Sequence, residues 1–157
     1  MPLIVDEQAV QAQSRIAGLR VCLFTLRFTE NWRRDVDDFE SAMILIAVTA
    51  IMGEHLTRTS GLPQELKDLR HVYPPERLPR CNVSSLAAAT GFNRETTRRK
   101  VNELIKMGLL ARATDGAISL APGLVQEAST FELIHKQIDA IVRLVNELLR
   151  DGILKAV

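Results

Sequence analysis

Asn82-Val83-Ser84-Ser85-Leu86-Ala87-Ala88-Ala89-Thr90-Gly91-Phe92-Asn93-Arg94-Glu95-Thr96-Thr97-Arg98-Arg99-Lys100-Val101-Asn102-Glu103-Leu104-Ile105-Lys106-Met107-Gly108 carries the punctuation of two short helices and a turn. Asn82 can cap a helix over Val83 to Thr90, with Leu86 and Ala87 pointing inward. Gly91 allows a backbone conformation that residues with a Cβ avoid, so the chain turns sharply there. Phe92 then plugs the angle between two helices. Asn93 caps the second, Arg94 to Met107, whose Thr97, Val101 and Leu104 follow a helical step and face in. Gly108 ends it. Leu109 to Arg112 and Ala117 to Leu120 read as two short strands joined through Thr114-Asp115-Gly116, where Asp-Gly is a hairpin signal.

Helix, tight glycine turn, helix and hairpin is the layout of a winged helix-turn-helix. With Thr97, Val101 and Leu104 inward, a step of about 100° per residue puts Glu95, Arg98, Arg99 and Asn102 on the outer face. Arg94 lies at the N-terminal tip, the part of such a helix that meets base edges in the major groove. Arginine offers two donors to guanine, and glutamate can accept from cytosine. Arg94, Glu95 and Arg99 are therefore the candidate base readers. Thr96, Arg98 and Lys100 flank that face as candidate backbone contacts, as do Ser84 and Ser85 on the preceding helix. Charge agrees with this pattern: residues 81–123 carry 6 basic and 3 acidic side chains, in a protein whose net charge is only +1. A near-neutral chain that concentrates its cations on one element makes a local electrostatic footprint.

Outward from this core, the chain reads as mainly α-helical. Residues 6–34 place Ile16, Leu19, Leu23 and Leu26 on one helical stripe, with Gly18 and the run Arg20 to Phe24 as weak points. Asp37 and Glu40 resemble a capping box ahead of a stretch, Phe39 to about Leu56, that is apolar nearly all round and so expected in the core. Pro63 can open a short helix, and Pro74, Pro75 and Pro79 impose an extended connector. Near the C-terminus, Ser129 and Glu132 read as a capping box. Phe131, Ile134, Ile138, Ile141, Val145 and Leu148 then recur at 3, 4, 3, 4 and 3, an a/d seam that suits a helix packed within its own subunit or one shared with a second subunit; the resemblance in overall plan given below favours a homodimer interface. The expected organisation is an N-terminal helical region (1–73), a Pro-rich connector (74–81), a winged helix-turn-helix (82–121) and a C-terminal dimerisation helix (122–157).

The run Asn93-Arg94-Glu95-Thr96-Thr97-Arg98-Arg99 resembles the start of the recognition helix in the Crp/Fnr (cyclic-AMP receptor) family. There an Arg-Glu-Thr triplet and a second Arg five positions after the first meet DNA. By that resemblance Arg94, Glu95 and Arg99 would read bases and Thr96 would touch phosphate. The 81 residues before it are helical in pattern and too short for a cyclic-nucleotide β-roll, so no nucleotide site is carried over. In overall plan the chain is similar to the MarR family, with helices on both sides of a central winged helix and terminal helices that intertwine in a homodimer. The wing of that family usually holds an Asp-x-Arg pair. Asp115-Gly116-Ala117 offers no Arg, which leaves Arg112 as the basic candidate of the hairpin.

Other chemistry finds little footing. His55, His71 and His135 share no helix face or ligand spacing, so no metal or other cofactor is expected. No nucleophile elbow, phosphate loop, dinucleotide fingerprint or zinc-protease motif is present, and no catalytic residue is assigned. Trp32-Arg33-Arg34 and His71-Val72-Tyr73 read first as packing and surface residues, with the lining of a cavity for a small-molecule effector of unknown identity as the alternative. Two cysteines, Cys22 and Cys81, make no disulfide framework. Together with no apolar membrane span and no basic leader, this points to a soluble cytoplasmic protein. Double-stranded DNA and a second copy of the chain are the expected partners. The rival from another class is a winged-helix module that keeps the fold but docks a protein on the outer face of residues 94–102.

Overall fold

A computed structural model describes residues 1–33, 36–58, 63–72 and 80–157, the side chains of 55–57 and 65–66 excepted. The protein is mainly helical, with two small two-stranded antiparallel sheets. It divides into two compact units, Met1–Arg34 with Glu132–Val157, and Asp35–Phe131. This corrects the expected organisation. The division does not fall at the connector, most of which lies outside the described residues, and residues 1–73 are not one region.

The second unit is built on α3 (Phe39–Arg58), flanked by α4 (Val83–Thr90), α5 (Arg94–Lys106) and a hairpin of β2 (Leu110–Arg112) and β3 (Ile118–Leu120). Ala42, Ile44, Leu45, Val48 and Met52 of α3 are buried together with Leu86, Val101, Leu104, Leu110 and Ile118. A helix apolar on most of its surface needs neighbours on most sides, which is why α3 belongs with the elements after the connector. Its cap is Asp38 and not Asp37: the Asp38 carboxylate accepts from the Ser41 N–H at 2.9 Å and the Ser41 hydroxyl at 2.8 Å. Pro63 precedes a single 3₁₀ turn, Gln64–Lys67, too short for an α-helix.

The hairpin pairs Leu110 with Leu120, Ala111 with Ser119 and Arg112 with Ile118. Its turn closes through Ala113 and Ala117, with the Ala113 N–H donating to the Ala117 carbonyl at 2.8 Å. Cys81, expected in the connector, is buried and forms a bridge to Ile118 on the free side of β3.

The first unit contains β1 (Leu3–Val5), α1 (Glu7–Ala12), α2 (Ser14–Trp32), most of α6 (Ala128–Arg150) and β4 (Leu154–Ala156). Helical structure between 6 and 33 is interrupted at Gln13, not at Gly18 or in 20–24. Gln13 leaves helical geometry, and its side-chain amide donates to the Asp151 carbonyl at 2.6 Å. The first and last strands pair antiparallel, Ile4 opposite Lys155. Arg20 ties α2 to α6 through Glu147, at 2.9 Å, and through Asp151. The last helix starts at Ala128, so Ser129 lies inside its first turn and its hydroxyl meets the Glu127 carboxylate instead of capping.

Candidate nucleic-acid interface

The turn between α4 and α5 rests on two asparagine caps and one glycine. The Asn82 side chain accepts from the Ser85 N–H at 2.9 Å, and the Ser85 hydroxyl in return accepts from the Asn82 N–H at 3.0 Å. Gly91 closes α4 at φ 75°, a left-handed conformation, and Phe92 is half-buried beyond it. Asn93 accepts from the Thr96 N–H at 2.7 Å and so starts α5 three residues after the glycine. The two asparagine caps and the left-handed glycine are the local features that the sequence spacing predicts; the reciprocal bond of Ser85 is not among them.

α5 separates two chemistries cleanly. Thr97, Val101 and Leu104 are each 0% exposed, and Arg94, Glu95, Arg98, Arg99 and Asn102 are exposed. Arg94 makes no ion pair among the described residues. Glu95 accepts from Arg98 at 2.7 and 3.1 Å, and that hydrogen bond holds its carboxyl below the ordinary glutamate range. Arg99 lies 3.4 Å from Glu103 and 3.7 Å from Glu40 of α3. Pairs this exposed are weak and readily exchanged for a stronger anion. Thr96 is half-buried, and Ser84 is exposed on α4.

Two expected backbone contacts are corrected. Lys100 is only 8% exposed, and its ammonium bridges Asp38 at 2.9 Å and Glu103 at 3.0 Å. Three positions after Thr97, its stem shares the inner side of the helix, and its charge is answered inside the fold. The Ser85 hydroxyl donates to the Asn82 carbonyl at 2.8 Å while accepting from the same residue, so its only proton is engaged in the cap.

The hairpin joins this face. Arg112 donates to the Asn102 side chain at 3.0 Å, which brings it alongside α5. Sequence reasoning missed Arg80, whose guanidinium reaches Asp115 in the hairpin turn at 2.9 Å. Its partner is 35 positions away and no local pattern marks it.

Of the seam residues, Phe131 is exposed at the end of the second unit; in the other unit Ile134, Ile138 and Ile141 are exposed, and Val145 and Leu148 are half-buried. The stripe Ile16, Leu19, Leu23 and Leu26 of α2 is exposed as well. Among the described residues, only Gln137 and Ile153 of this unit are buried. The buried Trp32 Nε1 has no hydrogen-bond partner among the described residues, while Arg34 and Tyr73 of the two candidate effector-lining triplets, and the His55 side chain, lie outside them.

Among the described residues no group of three histidine, cysteine or acidic side chains is placed to hold a metal ion. None of their helices is long and apolar enough to cross a membrane. No family model, no curated protein and no solved structure matches the chain.

Proposed function

We propose that the protein is a sequence-specific DNA-binding transcriptional regulator that acts as a homodimer. In this reading α3, α4, α5 and the β2–β3 hairpin form a winged helix-turn-helix, with α5 in the major groove of double-stranded DNA. The observation that carries it is the division of α5 between a fully buried inner row and an outer row of Arg94, Arg98, Arg99 and Asn102, which Arg112 extends. Arg94, Glu95 and Arg99 are the base readers, and Arg98, Arg112, Thr96 and Ser84 meet the backbone. The uncovered apolar stripes of α2 and α6 support a second copy of the chain as the structure that completes the first unit.

One observation favours the alternative of a protein-docking module. Glu95, Glu103 and Glu40 neutralise much of the arginine charge on the same face. Binding of duplexes from the gene's own upstream region, measured by anisotropy over a salt series against competitor DNA, separates the two. The regulator reading expects log affinity to fall linearly with log salt, because each neutralised phosphate releases counterions. It also expects Arg94→Gln or Arg99→Gln to cost about 1–3 kcal/mol of specific affinity and to relax preference at one position. Absence of salt-dependent binding at low ionic strength overturns it in favour of the docking module.

A further inference from the structure

Arg80 is held at the edge of the small sheet. It immediately precedes Cys81, whose N–H donates to the Ile118 carbonyl at 3.1 Å and whose carbonyl accepts from the Ile118 N–H at 2.8 Å. Its guanidinium lies 2.9 Å from Asp115, and the Asp115 carboxylate is oriented in turn by the Ala117 N–H at 3.0 Å. Both side chains remain open to solvent, at 45% and 59% exposure. Arg80 also shares with Arg112 the lining of one cavity of about 230 Å³, and Arg112 reaches Asn102 on the outer face of α5. Arg80 is thus linked through Arg112 to the helix whose outer face carries Arg94, Arg98 and Arg99.

We propose that Arg80 is a second phosphate-binding arm of the interface, with Asp115 occupying its guanidinium until a DNA phosphate replaces the carboxylate. The proposal rests on the DNA-binding reading above. An ion pair this exposed is weak, whereas a guanidinium meets a phosphate with the same two-pronged geometry it offers a carboxylate, and duplex DNA adds the field of the neighbouring phosphates.

The sign of two substitutions tests this. Arg80→Gln in the full-length protein is expected to weaken specific and non-specific duplex binding together by about tenfold, and to reduce the salt slope by about one per protomer. Arg80→Lys, which keeps the charge, should retain the slope and controls for misfolding. Asp115→Asn keeps an oxygen for the Ala117 N–H but removes the competing charge, so it should tighten binding severalfold. A clamp that merely holds the hairpin would make Arg80→Gln and Asp115→Asn weaken binding alike and lower the melting temperature, and that result overturns the proposal. So does an Asp115→Asn variant that binds no more tightly than wild type. Unchanged binding by Arg80→Gln overturns it too, and if Arg94→Gln still relaxes specificity the DNA reading survives. No salt-dependent binding by the wild-type protein removes the DNA reading itself.

Discussion

At Gly91 the requirement is conformational and nothing else. The residue sits at φ 75°, and a Cβ built there meets no atom within 4 Å. Any cost of a side chain is therefore backbone strain without a clash. For a β-branched residue in the left-handed region that strain is about 1–2 kcal/mol. Gly91→Val should lower the melting temperature by about 2–8 °C, at the 2–4 °C per kcal/mol expected of a chain this size. Gly91→Asn should cost distinctly less, because asparagine tolerates the conformation. Equal melting of wild type and the valine variant, followed by circular dichroism, would show that the left-handed turn is not needed. This residue was legible in sequence because everything that sets its role lies within four positions of it.

Between elements, the pairing of Asp38 with Lys100 joins the start of α3 to the middle of α5. Partial burial raises the Asp38 pKa. The hydrogen bond from Lys100 and two from Ser41 more than reverse that and hold it at about 2, against 3.8 ordinarily. A carboxyl depressed in the folded state contributes stability above its unfolded pKa and loses it as pH falls through the folded one. The window is thus about pH 4 down to 2. A shift of this size would correspond to roughly 2–3 kcal/mol if fully expressed. The Asp38 side chain is 39% exposed, and solvent screening brings the expected value to about 1 kcal/mol. Urea midpoints should place Asp38→Asn below wild type by that amount at pH 7, with the gap closing toward pH 2. In a Lys100→Met background the same substitution should cost less, since the shared bond is already gone. A gap that persists at pH 2 would assign the effect to something other than the carboxylate charge. This joint also marks where legibility stopped. The inner row of α5 followed from helical spacing, but the inward turn of Lys100 depends on an acid 62 positions earlier. Arg80 and the β1–β4 pairing were hidden for the same reason: their partners are distant and leave no periodic trace.

Across the whole molecule, the two units differ in how completely they bury themselves. Asp35–Phe131 has a closed core, whereas among the described residues the other unit buries only Gln137 and Ile153 and leaves two apolar stripes in solvent. Packed helix pairs gain most of their stability from apolar burial, and covering these two stripes is what the proposed second copy would supply. The heptad spacing on α6 was readable in sequence, but spacing alone does not say which side of a helix its own chain covers. The structure sharpens the test. Ile138 and Ile141 are 55% and 44% exposed in the single chain, so aspartate there would be solvated and α6 should still form. In a dimer the same charges would enter an apolar interface, at a cost of several kcal/mol each. Ile138→Asp with Ile141→Asp is therefore expected to give a monomer by sedimentation velocity, with helical circular dichroism largely retained. Its DNA binding should fall sharply as well, because a two-fold dimer engages half-sites about one helical turn apart and a monomer loses that second contact. A double variant that sediments as wild type would place the interface away from the α6 seam. One that sediments as a monomer yet binds a two-half-site duplex as tightly as before would separate dimerisation from DNA recognition.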